Sequence, residues 1–131
     1  VVFDSPLNML CDSPSNYMAE PECTEFIAGC PTVWDESVAV NGVLGRFITL
    51  ARRSGDIWYV GSLNDWKARD LTLDLSFLGD GEWTMEIFRD GINADRAARD
   101  YKREYAPVPA DRKVKIHMAP GGGWTARITK K

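Results

Sequence analysis

The sequence has one histidine, His117, and three cysteines, Cys11, Cys23 and Cys30, among 131 residues. An odd cysteine count does not complete a disulfide framework, and none of the three sits in a C-x-x-C pair. A zinc site built from these ligands would have no standard spacing. The thiols are expected to fill apolar helix faces. A nucleophilic triad needs a base beside the nucleophile, usually histidine. His117 stands alone on the lysine-bearing face of its strand pattern and reads as a solvent-facing residue.

A positive balance is also missing. The chain carries 16 Lys and Arg against 19 Asp and Glu, a formal net charge of -3. A nucleic-acid or anionic-membrane role therefore has no support. No apolar run approaches the roughly 18 residues needed to cross a bilayer. There is no internal repeat and no low-complexity segment. The chain starts at Val1-Val2-Phe3 with no initiator methionine and no leader, and is expected to be cut from a longer protein.

What is present suits one globular domain. The length allows a real core, and 44% hydrophobic with 27% charged residues is ordinary for such a domain. The charges are unevenly placed. Residues 1–30 hold Asp4, Asp12, Glu20, Glu22 and Glu25 and no Lys or Arg, whereas all 16 basic residues lie in 31–131. That shift puts a boundary near Pro31.

The acidic stretch reads as a short helical arm. Ser5 can cap and Pro6 suits a first helical position, with Leu7, Leu10 and Cys11 on one face. Asp12-Ser13-Pro14 ends that turn and starts another over Ser15 to Ala19. Pro21 opens a third piece, in which Cys23, Phe26, Ile27 and Cys30 follow the i, i+3, i+4, i+7 pattern and Gly29 marks the end. Helices this short are marginal alone, so Phe3, Leu7, Leu10, Phe26 and Ile27 should be buried against something.

From Pro31 onward the pattern is β. Thr32 to Val40 is the first strand expected, with Asn41-Gly42 as a hairpin turn. Val43 to Arg53 follows, then a turn at Ser54-Gly55-Asp56 and a run from Ile57 to Gly61. Leu71, Leu73, Leu75 and Phe77 alternate with polar residues. Trp83, Met85 and Ile87 alternate with Thr84, Glu86 and Phe88 in the next strand. Further runs cover Asp100 to Val108, Lys113 to Met118 and Trp124 to Thr129. About eight short strands at these spacings predict an antiparallel β-sandwich over 31–131, preceded by the arm.

Candidate chemistry is sparse. Asp35, Glu36, Asp65, Asp70 and Asp74 could supply a carboxylate pair for glycoside hydrolysis. Asp35 and Glu36, however, would point to opposite faces of a strand, and Asp74 lies on a wet face. Asp90, Asn93 and Asp95 outline a calcium-loop-like stretch, but Gly91 comes too early and no Glu closes it, so a turn is expected. Gly121-Gly122-Gly123 has no Lys-Ser/Thr after it and reads as a connection between strands. Of the five tryptophans, Trp58, Trp83 and Trp124 fall in strand patterns and are expected in the core. Trp66, beside Asn64 in a connection, is the best candidate for a sugar-stacking platform, with Trp34 as the second. These would make the domain a carbohydrate-binding module.

Several segments in order carry a resemblance: VVFDSPLNMLCDSP, PTVWDE, GRFITLARRSGDIWYVGSLNDWKARDLTLDLSFL, FRDGINADRAARDYK and HMAPGGGWTARI. The first resembles the end of the catalytic barrel in glycoside hydrolase family 97, and the others resemble that family's C-terminal domain. The resemblance implies a parent enzyme with an N-terminal β-sandwich, a (β/α)8 barrel and a C-terminal all-β domain supporting oligomerisation. It implies hydrolysis of α-glucosides or α-galactosides, with a calcium ion in or near the barrel and none in this chain. The catalytic and metal residues of the family lie upstream of the segment resembling Val1, so none is assigned here; Asp4 and Asp12 match no catalytic motif. Residues 1–30 would be the barrel's tail, and Leu7, Leu10, Phe26 and Ile27 would face the barrel or another subunit. The expected partners are the upstream barrel, a second copy of the protein and an α-linked oligosaccharide. The family's bacterial members imply a periplasmic or exported parent.

Overall fold

A computed structural model describes residues 1–3, 5 and 11–131 of the chain. The expected first helical turn, with Pro6, Leu7 and Leu10, lies outside the described residues. Helix α1 runs over Pro14–Ala19 and α2 over Pro21–Ala28. Each begins on a proline, whose missing N–H and fixed φ suit that position.

Eight strands follow: β1 Glu36–Val43, β2 Phe47–Ser54, β3 Ile57–Asn64, β4 Arg69–Asp74, β5 Trp83–Asp90, β6 Tyr101–Pro107, β7 Lys113–Met118 and β8 Gly123–Lys130. Six of them form one antiparallel sheet in the order β1-β2-β3-β8-β5-β6, and β4 pairs with β7 in a second, two-stranded sheet. The chain is thus mainly β, a sandwich with unequal layers behind a helical arm. β8, last in sequence, lies in the middle of the large sheet between β3 and β5.

The core lies between the two sheets. Ala51, Val60, Ala126 and Ile87 lie in one row across four strands, as the pairing registers show. Trp58, Trp83 and Trp124 are buried on the same side, as the alternation predicts. Leu73, Ile116 and Met118 face them from the small sheet. Trp58 packs on Phe77 with ring centroids 4.6 Å apart. The outward side of the small sheet carries Asp70, Thr72, Asp74, Lys113, Lys115 and His117, and is polar throughout.

Three expectations are corrected. First, Asn41-Gly42 is not the hairpin turn. Pairing continues through Asn41↔Thr49, Gly42↔Ile48 and Val43↔Phe47, with a register shift between Ala39 and Asn41. The chain reverses at Leu44-Gly45-Arg46, where Gly45 takes a φ of 73° that favours glycine. Gly42 instead permits close approach, since a Cβ there would meet the Phe47 carbonyl oxygen at 3.2 Å. Second, β1 begins at Glu36, so residues 32–35 are not strand. Third, β4 ends at Asp74, and Phe77 belongs to a 3-10 turn over Ser76–Leu78. The Asp74 carboxylate accepts the Ser76 N–H at 2.9 Å, which curls the chain there. On the other side of β5 from the core, Glu86 and Phe88 are also buried. The arm covers the second face of the large sheet.

Candidate functional site

With no catalytic constellation expected, the candidate functional features are surfaces. The first is the outer face of the large sheet, under the arm. Tyr59, Glu86, Phe88, Tyr101, Arg103 and Arg127 project from it. Phe26 of α2 sits 4.9 Å from Phe88 and meets Tyr59 edge-on at 6.5 Å between ring centroids. The Tyr59 hydroxyl donates to the Gly29 carbonyl at 3.2 Å. Trp34 lies against Tyr59 at 5.4 Å and under the Arg52 guanidinium at 5.9 Å. Val1 and Val2 cross Gly61, where a Cβ would come within 3.0 Å of Val1. The residue at 61 must therefore be small for the N-terminal stretch to lie flat on the sheet.

A charge network tightens this contact. Glu86 is only 6% exposed and holds Arg103 at 2.6 Å and Arg127 at 2.6 Å, while the Tyr105 hydroxyl donates to it at 3.2 Å. Arg103 reaches on to Glu25 at 3.7 Å and Glu22 at 4.0 Å, and the Tyr101 hydroxyl donates to Glu22 at 3.2 Å. The acidic arm thus lies on a face supplied with guanidinium groups. Burial acts to raise the Glu86 carboxyl, but Arg103, Arg127 and Tyr105 together outweigh it and hold it below the ordinary value. Burial pushes the Cys30 thiol up, which suits a packing role.

Other carboxylates are held low as well. The Arg89 hydrogen bond lowers Glu104. The Lys67 backbone N–H lowers Asp65, and the Ser76 backbone N–H lowers Asp74. The unfolded chain therefore takes up protons before the folded one does. The stability these groups contribute is complete above the ordinary carboxyl values of 3.8 and 4.5 and is lost as pH falls through the folded values. Urea midpoints measured near pH 7 and near pH 3 should differ, the acid value being lower. Equal midpoints would refute this coupling.

The second surface is the end of the sandwich where the β1–β2 hairpin tip, the β3–β4 connection and the β7–β8 turn meet. Leu44 is fully exposed and Trp66 is 86% exposed, with Val43, Ile48 and Leu63 partly so. An open groove of about 530 Å³ runs between residues 42–48 and residues 63–65. The loops are bound to one another. Asp65 N–H donates to Arg46 O at 2.7 Å, Gly121 N–H to Asp65 O at 2.7 Å, and Asn64 N–H to Gly122 O at 3.1 Å. Gly121 has a φ of 69°, and a side chain there would start 2.8 Å from the Trp66 ring.

The sequence-predicted sugar platform is thus only partly assembled. Trp66 is exposed as expected. Asn64 is engaged on both ends of its amide: it donates to Lys67 O at 2.7 Å and Ala119 O at 3.0 Å, and accepts from Arg69 at 3.0 Å. Trp34 is not beside Trp66 but half-buried against Tyr59, on the sheet face that the arm covers. Of the proposed interface residues, Phe26 packs on the sheet, and Ile27 remains 46% exposed on α2. Leu7 and Leu10 lie outside the described residues.

The carboxylates considered for catalysis do other things. Asp35 accepts the Gly55 N–H at 2.7 Å and Glu36 pairs with Arg53 at 3.2 Å. Asp65 pairs with Arg69 at 3.1 Å, and Asp70 contacts His117 Nδ1 at 2.7 Å. Asp90 accepts the N–H groups of Ala119 at 2.8 Å and Gly123 at 3.1 Å, which pins the glycine-rich turn. Among the described residues, no group of three His, Cys, Asp or Glu side chains could hold a metal ion. None of the described helices is long and apolar enough to cross a membrane. Sequence reasoning missed the Glu86–Arg103–Arg127 cluster, whose only signal is one acidic and two basic residues on strands that pair.

Comparison with known proteins fits this arrangement. A retaining alpha-galactosidase from Bacteroides thetaiotaomicron is 59% identical over 128 residues, covering 98% of this chain and 19% of that protein. A probable retaining alpha-galactosidase from Streptomyces bingchenggensis is 29% identical over 92% of this chain and 20% of its own length. A glycoside hydrolase family 97 enzyme from Pseudoalteromonas, solved in complex with panose, superposes with a TM-score of 0.85 at 35% identity, over 92% of this chain and 20% of that one. The chain spans about a fifth of the length of these relatives. The family model described as "Glycosyl-hydrolase 97 C-terminal, oligomerisation" matches residues 33–129, nearly the whole sandwich, and the chain accordingly belongs to the C-terminal domain family of glycoside hydrolase family 97.

Proposed function

We propose that this chain is the non-catalytic C-terminal accessory domain of a longer family 97 glycosidase of α-galactosidase type. Its role is to pack on the upstream barrel and support assembly of the enzyme. The observation that carries this reading is the match across residues 33–129 to a domain family described by oligomerisation. The 59% identity to a retaining alpha-galactosidase favours an α-galactoside over an α-glucoside as the parent's substrate. Residues 1–30 then form the tail of the barrel, and Ile27, with Met18 and Val33 also exposed, faces what precedes the sandwich. Calcium belongs to the upstream barrel, and the parent is exported or periplasmic. Asn64, with both ends of its amide engaged, offers no group beside Trp66 to a direct α-linked oligosaccharide partner.

The test compares three proteins: the full-length gene product, a version lacking residues 31–131, and the 131-residue chain. Hydrolysis of an aryl α-galactoside and sedimentation mass are measured for each. Hydrolysis is expected from the full-length protein and not from the 131-residue chain. Loss of assembly is expected on deleting the sandwich. Turnover by the 131-residue chain would overturn the accessory reading, and an unchanged mass on deletion would overturn the assembly role.

A further inference from the structure

We infer that the loop end of the sandwich, from Leu44 to Trp66, is a docking face for the domain that precedes Val1 in the same polypeptide. This rests on the accessory-domain reading and names which surface of the sandwich the upstream domain covers. The face combines apolar exposure with rigidity. Leu44 and Trp66 stand almost wholly in solvent, flanked by Val43, Ile48 and Leu63. Exposed apolar side chains on a frayed loop carry little meaning. Here the three loops are tied by the backbone hydrogen bonds of Arg46, Asn64, Asp65 and Gly121. Arg69 clamps the connection from below, bonding Asn64 at 3.0 Å and Asp65 at 3.1 Å while stacking 4.7 Å from the Phe47 ring. A grouped apolar surface held in place is a mark of an interaction site.

Chain connectivity names the occupant. Val1 sits on Gly61 at 3.0 Å from where a Cβ would be. Leu63 is two residues further along β3 and so on the same face, and Ile48 is its cross-strand partner. The polypeptide that leads into Val1 therefore arrives at the corner where Ile48 and Leu63 are exposed. The relatives carry about four-fifths of their length outside the matched region, and the matched family is a C-terminal one. A domain tethered at that corner has a high effective concentration for the face next to it. The polar outer side of the small sheet offers no comparable surface.

The test is hydroxyl-radical labelling of Leu44 and Trp66, read by mass spectrometry, in the 131-residue chain and in the full-length protein across a dilution series. Labelling of both residues is expected to be lower by roughly tenfold in the full-length protein at every concentration. A second readout uses Leu44→Asp. It should leave the melting temperature of the 131-residue chain unchanged and lower that of the full-length protein by several degrees. Equal labelling in the two proteins would overturn the docking face. Protection that disappears on dilution would overturn it in favour of a second copy as the occupant. If labelling is equal while deletion of residues 31–131 still dissociates the assembly, the docking face alone falls. If deletion changes nothing either, the accessory reading falls with it.

Discussion

Trp58→Ala is expected to destabilise the 131-residue chain by about 3–5 kcal/mol and to lower its melting temperature by roughly 10–20 °C. Trp58 is 4% exposed and pairs across β3 with Ile128 of the central strand β8. Its ring packs on Phe77, which belongs to the 3-10 turn after β4. One side chain thus joins the large sheet to the segment carrying the small one. Truncation leaves a cavity that neither layer can fill, because the backbone of both is fixed by ladder hydrogen bonds. Trp66→Ala is the control, since that ring is 86% exposed and its loss removes little buried surface. Thermal melts of the two variants should differ widely. Similar melting temperatures would refute the assignment of the core between the sheets.

Glu86→Gln is expected to cost about 2–3 kcal/mol, by leaving two guanidinium groups without their shared anion. Glu86 holds Arg103 and Arg127, each at 2.6 Å, from a position 6% exposed. The two arginine side chains are 23% and 41% exposed, so water recovers part of the loss and the cost stays below that of a fully buried pair. The effect should spread to the arm, because Arg103 also reaches Glu22 and Glu25. Amide exchange in α2 should quicken more than exchange in β4 and β7. A variant with parental stability and unchanged α2 exchange would show that the cluster does not hold the arm.

Much of the sandwich was legible in the residues. The alternations at Trp83-Met85-Ile87, Val114-Ile116-Met118 and Trp124-Ala126-Ile128 placed the buried face correctly in each case. The turn at Gly55-Asp56 fell where the Ser54-Gly55-Asp56 signal put it. The hairpin tip was misplaced because Asn41-Gly42 is a strong local turn signal, whereas Gly45 supplies the left-handed conformation inside a sequence, Leu44-Gly45-Arg46, with an exposed leucine. The candidate surfaces were less legible. Trp66 could be read as exposed from its place in a connection. Nothing local showed that Asn64 would be consumed by Lys67, Arg69 and Ala119.

By itself, the sequence determined that this is a chain of short antiparallel strands behind an acidic helical arm, and which residues of each strand form the inner core. Period-2 alternation is a local property, so one face of each strand is encoded in the strand. Tertiary structure alone decided the fate of the other face. Tyr59 and Phe88 are covered by Phe26 of α2, 33 and 62 residues away in the chain, and Tyr59 also bonds Gly29 just past that helix, while Glu86 is enclosed by Arg103, Arg127 and Tyr105. It also decided that β8 closes the sheet from the middle, bonding to β3 on one side and β5 on the other. Strand alternation states that a face is apolar or polar. It does not state which distant segment will cover it, because that depends on how the whole chain brings its surfaces together.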